Sequence, residues 1–342
     1  MRIPGVIEIV AVALLVSLTI YALSGGADYG GGVLDLLARG PRADRQRRLI
    51  SAAIGPIWEA DHVWLVLVVV IMFTAFPPAF ARITTWLHIP LTLMLVGVVL
   101  RGSAFTFRSY GYSDREERRW GRVFAFASLV TPVLLGVILG AVASGRIVGQ
   151  PVQFSDFVTP WLAPFPIAVG IFALALFTFL AAVYLTIESG HELDLQRDFR
   201  NRALAASVAT GVMAALVLLL SISGAPAIWR GLTERPWTWP LFWATALAGF
   251  GGMWALWTER YDFARLFAIG EVTLFLWGWA FAQFPVMVEP DMTIYGVAAP
   301  RETLRLLVGA LMIGGLLLFP SFRYLLRVFK GSRDVRRGRP IG

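Results

Sequence analysis

The sequence has 342 residues, of which 57% are hydrophobic and only 15% charged, where a soluble domain carries about 25% charged residues. Its mean hydropathy is +0.69, so a soluble fold is excluded and an integral membrane protein is expected. No cysteine is present, which removes disulfide frameworks, zinc thiolate sites and iron–sulfur clusters. The net charge of +8 comes from arginines in short clusters between apolar runs, a topology pattern rather than a nucleic-acid face.

The first apolar stretch runs from Val6 to Leu23 behind Arg2. A secretory h-region is about 7 to 15 residues long and is followed by a small-residue cleavage site. This stretch is longer, carries Glu8 and lacks such a site, so it reads as a retained first span. It continues into "SGGADYGGGVLDLLARG", where the Gly26 to Gly30 spacing admits close helix packing or an unwound elbow like a transporter's broken helix. An Arg-rich loop follows, and then "GPIWEADHVWLVLVVV" opens the second span. In all, nine windows approach the roughly 20 apolar residues that a membrane helix needs: 6–24, 55–75, 84–107, 122–143, 161–187, 203–223, 238–257, 265–284 and 302–328. Lipid offers the backbone no hydrogen-bond partner, so each must be a closed helix. The expectation is an all-α protein with nine transmembrane helices, in which short loops make sequential spans antiparallel neighbours in bundles.

Orientation follows from the Lys and Arg in the connecting segments. With the first loop placed in the cytoplasm, 22 fall inside, seven outside, and Arg101 within a span. The N-terminus is therefore expected outside and the C-terminus in the cytoplasm.

Several ionisable residues sit inside these spans. At 1.5 Å per residue, Glu59, Asp61 and His62 enter about 6 to 12 Å from the cytoplasmic side. Asp28 approaches the same side, and Arg101, about 25 Å from the outer face, lies in the same slab. Charges at such depth are costly and face a bundle interior in pairs. For Asp28 with Arg101, a helix lock and a functional contact both remain open. Glu59 and Asp61 exceed the available cations, which favours proton transfer, with His62 as a further member and Trp58 and Trp64 flanking the motif. Glu59 and His62 spell E-x-x-H, but the di-iron carboxylate site needs two such motifs and the chain has only His62, His88 and His191. An axial separation of about 12 Å argues against His62 and His88 sharing one haem. No metal site is expected. His191 reads as a solvated loop residue, and Glu8 and Glu271 as polar bundle contacts, Glu271 being a lesser relay candidate. One functional alternative is a proton-coupled secondary transporter using Asp28 and Glu59, although no inverted repeat is visible.

The order "GADYGGGVLDLL", "GPIWEADHVWLVLVVV", "FTAFPPAFA" and "HIPLTLMLVGVVLRGSAFTFR" resembles subunit II of the cytochrome bd-type quinol oxidases, most specifically over residues 20 to 140. "GADYGGG" departs from the family's more usual G-F-D-L-G-V-G pattern and marks a divergent member. The resemblance implies two four-helix bundles plus a peripheral helix. Over this chain that places one bundle in 1–143, a second in 161–284, the ninth helix at 302–328 and a basic tail at 329–342. It implies a heterodimer in a prokaryotic cytoplasmic membrane that oxidises quinol and reduces oxygen to water. The b-type haems and haem d would lie in partner subunit I. Subunit II, with a structural quinone in some members and room for a small third subunit, would stabilise that partner and supply a proton route. By position, Glu59 matches the family's proton-route acid, and Asp28 and Arg101 match positions tied to assembly of the haem sites.

Overall fold

The computed structural model describes the backbone of residues 5–54, 58–109, 114–190 and 192–336, with side chains described for most of them. Twelve α-helices appear among these residues: α1 (Gly5–Leu36), α2 (Ala43–Ile54), α3 (Trp58–Ala75), α4 (Pro77–Trp86), α5 (His88–Ser109), α6 (Asp114–Ala143), α7 (Pro164–Glu188), α8 (Leu193–Gly224), α9 (Pro226–Thr233), α10 (Thr238–Trp257), α11 (Tyr261–Gln283) and α12 (Arg301–Arg336). The β structure described is one small hairpin, β1 (Val286–Val288) against β2 (Met292–Thr293), with Val286 opposite Thr293. Eight of the expected apolar windows each overlap one helix among the described residues, and the window 84–107 overlaps two, α4 and α5. By length and hydropathy alone, six helices among the described residues are able to cross a membrane, or seven if α3 and α4 form one bent span.

Proline punctuates this chain. Phe76, Ala163 and Ala225 all lie outside helical geometry, and each is followed by a proline that opens the next helix. The pyrrolidine ring disfavours the α conformation in the residue before it, while its own missing N–H costs nothing in a first turn. The break at Phe76 turns α4 by 117° from the axis of α3. The window expected at 84–107 is thereby divided: its first residues belong to α4, and α5 begins at His88.

The glycine-rich stretch of α1 is helical throughout, so it is a packing surface and not an elbow. A Cβ on Gly30 would meet the Phe177 carbonyl oxygen and Ala181 of α7, and one on Gly26 would meet the Phe177 ring. Small residues thus let α1 and α7 approach backbone to backbone. Around this crossing, α1 also packs on α3, α6, α11 and α12, while α5 pairs with α6, α7 with α8, and α10 with α11. The core at the crossing includes Tyr21, Tyr29, Trp64, Phe124, Phe177 and Phe199.

Each end of the helix array is tied by polar contacts. At one end the Arg-rich connection is itself helical. α2 buries Gln46, Ile50 and Ile54 on one face, and Arg42 grips Asp198 of α8 through bonds of 2.8 and 2.6 Å. Gln46 donates to the same carboxylate at 2.7 Å, and Arg202 reaches the Leu34 and Leu37 carbonyls. At the other end, Arg82 pairs with Asp291 at 2.7 Å and the Tyr295 hydroxyl donates to Glu8 at 2.9 Å. Glu289, buried and within electrostatic reach of Arg230, has its carboxyl pushed up by burial.

At that second end Asp156 accepts the Val152 and Gln153 amides at 2.8 and 2.9 Å, and these bonds pull its carboxyl below the usual range. A depressed carboxylate contributes stability that is present above its unfolded pKa and lost as pH falls through the folded one. Asp156→Ala is accordingly expected to speed hydrogen exchange at the Val152 and Gln153 amides at neutral pH. The difference from wild type should shrink as the solution is acidified.

Candidate functional site

Of the ionisable residues expected to share one slab, Asp28, Asp61 and Arg101 converge inside the group formed by α1, α3, α5 and α6. Arg101 of α5 is 3% exposed. Its Nη1 donates to Asp28 Oδ2, its Nη2 to the Asp28 main-chain carbonyl at 3.0 Å, and its Nε to Ser128 Oγ of α6 at 3.0 Å. The Tyr29 and Phe124 rings lie 4.8 and 4.9 Å from the guanidinium carbon. Arginine suits this position because its planar fork can meet a carboxylate while its faces stack on aromatic rings. One residue thereby joins three helices.

Gly32 explains how α6 comes close enough, since a Cβ there would collide with Ser128. Above the ion pair the Tyr21 and Tyr29 hydroxyls lie 3.2 Å apart, and both residues are 2% exposed. Asp61 enters from α3, 3% exposed and within electrostatic reach of Asp28 and Arg101. Oδ1 of Asp28 and Oδ2 of Asp61 have no hydrogen-bond partner among the described residues. Buried polar atoms are rarely left so, and two carboxylates here share the one cation described in the cluster.

The rest of the motif is divided by the helix period. Trp64 is 7% exposed in the core, whereas His62 is half-buried and lines an open groove of about 510 Å³ with Val98, Val99, Gly102, Ser103, Thr106 and Phe107. Trp58 and Glu59 lie in the first turn of α3, but their side chains fall outside the described residues, as does all of His191. His88 is remote from the cluster, at the exposed start of α5, with Nδ1 3.0 Å from the Thr85 carbonyl and its ring edge-on to Phe157. Among the described residues no three His, Asp or Glu side chains gather as metal ligands would.

Glu271 of α11 is also buried, at 6% exposure, and faces Gly249 of α10 with Oε2 unpartnered among the described residues. Sequence reasoning missed Asp35. It is 5% exposed near the end of α1 and pairs with Arg108 of α5 at 3.1 Å. Arg108 looked like an ordinary loop arginine, but the signal was present: Asp28 to Asp35 and Arg101 to Arg108 are both heptad steps.

A family model described as cytochrome bd terminal oxidase subunit II matches residues 6–329. The chain belongs to that family. It is therefore a subunit of an oxidoreductase complex, and a respiratory membrane protein with several spans. A Bacillus subtilis relative named "Putative cytochrome bd menaquinol oxidase subunit II" is 23% identical over 332 residues, covering 93% of each chain. The Escherichia coli K12 cytochrome bd-I ubiquinol oxidase subunit 2 is 26% identical over 208 residues, 58% of this chain and 51% of that one. Against the solved structure of bd oxidase from Geobacillus thermodenitrificans the TM-score is 0.79 at 20% identity, covering 95% of this chain and 98% of the other. The fold of that bd oxidase chain thus extends over essentially the whole helix array, and the charge cluster lies within it.

Proposed function

We propose that this chain is the non-haem subunit of a quinol-oxidising terminal oxidase in a prokaryotic cytoplasmic membrane. It stabilises a haem-bearing subunit I and carries protons inward from the cytoplasm. In this reading α1, α3, α5 and α6 form one four-helix bundle and α7, α8, α10 and α11 a second, with α12 peripheral. Nine spans place the N-terminus outside and the α2 end in the cytoplasm. The b-type haems and haem d belong to the partner, and a structural quinone and a small third subunit are compatible with the assembly. Oxygen reduction consumes protons that must reach a dry interior, and a positioned acid shortens that route.

The observation that carries the relay is Asp61. It is a second buried carboxylate beside an arginine that Asp28 already occupies, with one oxygen open to a transferred proton or a water. Glu59, half a helical turn earlier, is the entrance, Asp61 the interior stop, and His62 the group facing the groove. The Asp28–Arg101 pair holds this geometry. Glu59→Gln and Asp61→Asn are each expected to assemble normally and to slow oxygen consumption of the purified complex at least about tenfold, below the ~10²–10⁴ that an acid or base at the reacting atoms contributes. Unchanged turnover in both variants would remove the proton-carrying role while leaving family membership intact.

A further inference from the structure

Two ion pairs tie α1 to α5, and both join residues 73 apart: Asp28 with Arg101 and Asp35 with Arg108. A constant offset means the two helices run in the same direction in register, so the pairs are successive rungs about 10.5 Å apart along the axis. The rungs differ in surroundings. Asp28 and Arg101 are sealed among Tyr29, Phe124 and Ser128. Arg108 keeps 14% of its side chain exposed, and Arg47 of the amphipathic α2, itself partly in solvent, lies within electrostatic reach of Asp35 and donates to the Ala38 carbonyl at 3.0 Å. From α8, Arg202 holds the Leu34 and Leu37 carbonyls on either side of Asp35. Asp35 is thus buried yet next to the solvent-facing end.

The three carboxylates also share a feature that a simple lock does not require. Asp35, Asp28 and Asp61 are 5%, 4% and 3% exposed, and each keeps one oxygen with no hydrogen-bond partner among the described residues. Such oxygens are the positions where water or a transferred proton supplies the missing bond. The Tyr21 and Tyr29 hydroxyls, 3.2 Å apart, lie in the same region and both sense Asp61. Hydroxyls both donate and accept, so they extend the file between the upper rung and α3.

We infer that Asp35 is a receiving carboxylate for protons at the α2 end, and that a polar file along α1 leads from the Asp35–Arg108 rung past Asp28 to Asp61. The inference rests on the proton-carrying role proposed for Asp61 and adds an entrance on α1, distinct from Glu59 on α3. Arg108, Arg47 and Arg202 are the charged groups described around this entrance.

The test is oxygen consumption per assembled complex, measured from mildly acidic to alkaline pH. Asp35→Asn is expected to lose about tenfold at alkaline pH, where protons are scarce at the entrance, and to recover toward wild type on acidification; Asp35→Glu should restore the alkaline rate. If Asp35→Asn fails to assemble because Arg108 is left unpaired, the double variant Asp35→Asn with Arg108→Gln removes both charges and should show the same pH-dependent loss. A merely structural rung would change yield or thermal stability while leaving turnover per complex and its pH profile unmoved. That result, or a loss equal at all pH, overturns the inference. Asp61→Asn runs alongside: if it is slow and the Asp35 variants are not, the α1 entrance fails while the relay stands, and if neither is slow the relay itself fails.

Discussion

Arg101→Ala is expected to prevent the complex from accumulating with its normal haem content. Removing the guanidinium strands the Asp28 carboxylate in a site that is 4% exposed. Breaking a buried pair from one side costs about 3–5 kcal/mol, because the remaining charge cannot regain its hydration. The loss is compounded here, since the same side chain bonds Ser128 and stacks between Tyr29 and Phe124. Three helices lose their common contact together. Lysine would restore the charge but not the fork or the stacking faces, so Arg101→Lys should fall between alanine and wild type. The neutral pair Asp28→Asn with Arg101→Gln should assemble better than Arg101→Ala, because no uncompensated charge is then buried. Haem absorbance per milligram of complex after affinity purification reads this directly. Equal haem content in wild type and Arg101→Ala would show that the pair does not support assembly.

The cluster was legible before any coordinates because a charged residue within an apolar run stands out, and because lipid leaves such groups no partner but one another. Asp28 and Arg101 could therefore be paired from depth alone. The Asp35–Arg108 rung could not, since Arg108 sits at a helix end where arginine is ordinary and only the heptad register sets it apart. The long helices were legible because lipid requires extended apolar runs to close their own backbone hydrogen bonds. The shorter elements were not. α2 carries three arginines, Arg45, Arg47 and Arg48, with Arg42 just before it, so its charge hid the Gln46, Ile50 and Ile54 face that docks it. Most of α4 read as the connection between two windows, because Pro77 and Pro78 turn an apolar chain without making it polar. The Gly-rich stretch was ambiguous from composition, since glycine both breaks helices and lets them touch. Phe177 and Ala181 on a distant helix decide the question.

That contact yields the second large expectation, Gly30→Val. Any Cβ at this position would overlap the Phe177 carbonyl and carbon atoms, and the Ala181 methyl lies on the same side. The obstacle is mainly backbone, which no rotamer change relieves. Overpacking in a well-fitted core costs about 1–3 kcal/mol; with a β-branched side chain against a main-chain carbonyl, the upper end or more is expected. Because α1 also contacts α3, α6, α11 and α12, separating it from α7 disturbs the helices that hold Asp28, Asp61 and Arg101. Gly30→Val should therefore lower both the thermal midpoint and the haem content of the complex, and Gly30→Ala should do the same to a smaller degree. Gly211 in α8 is the control: a Cβ there meets nothing within 4 Å, and alanine favours a helix over glycine by about 1 kcal/mol, so Gly211→Ala should be neutral or slightly stabilising. If both glycine sites tolerate alanine equally, close approach at Gly30 is not what holds α1 against α7. If only Gly30 fails, the glycines of α1 are there for contact, and the charge cluster depends on a crossing between α1 and α7, far apart in sequence.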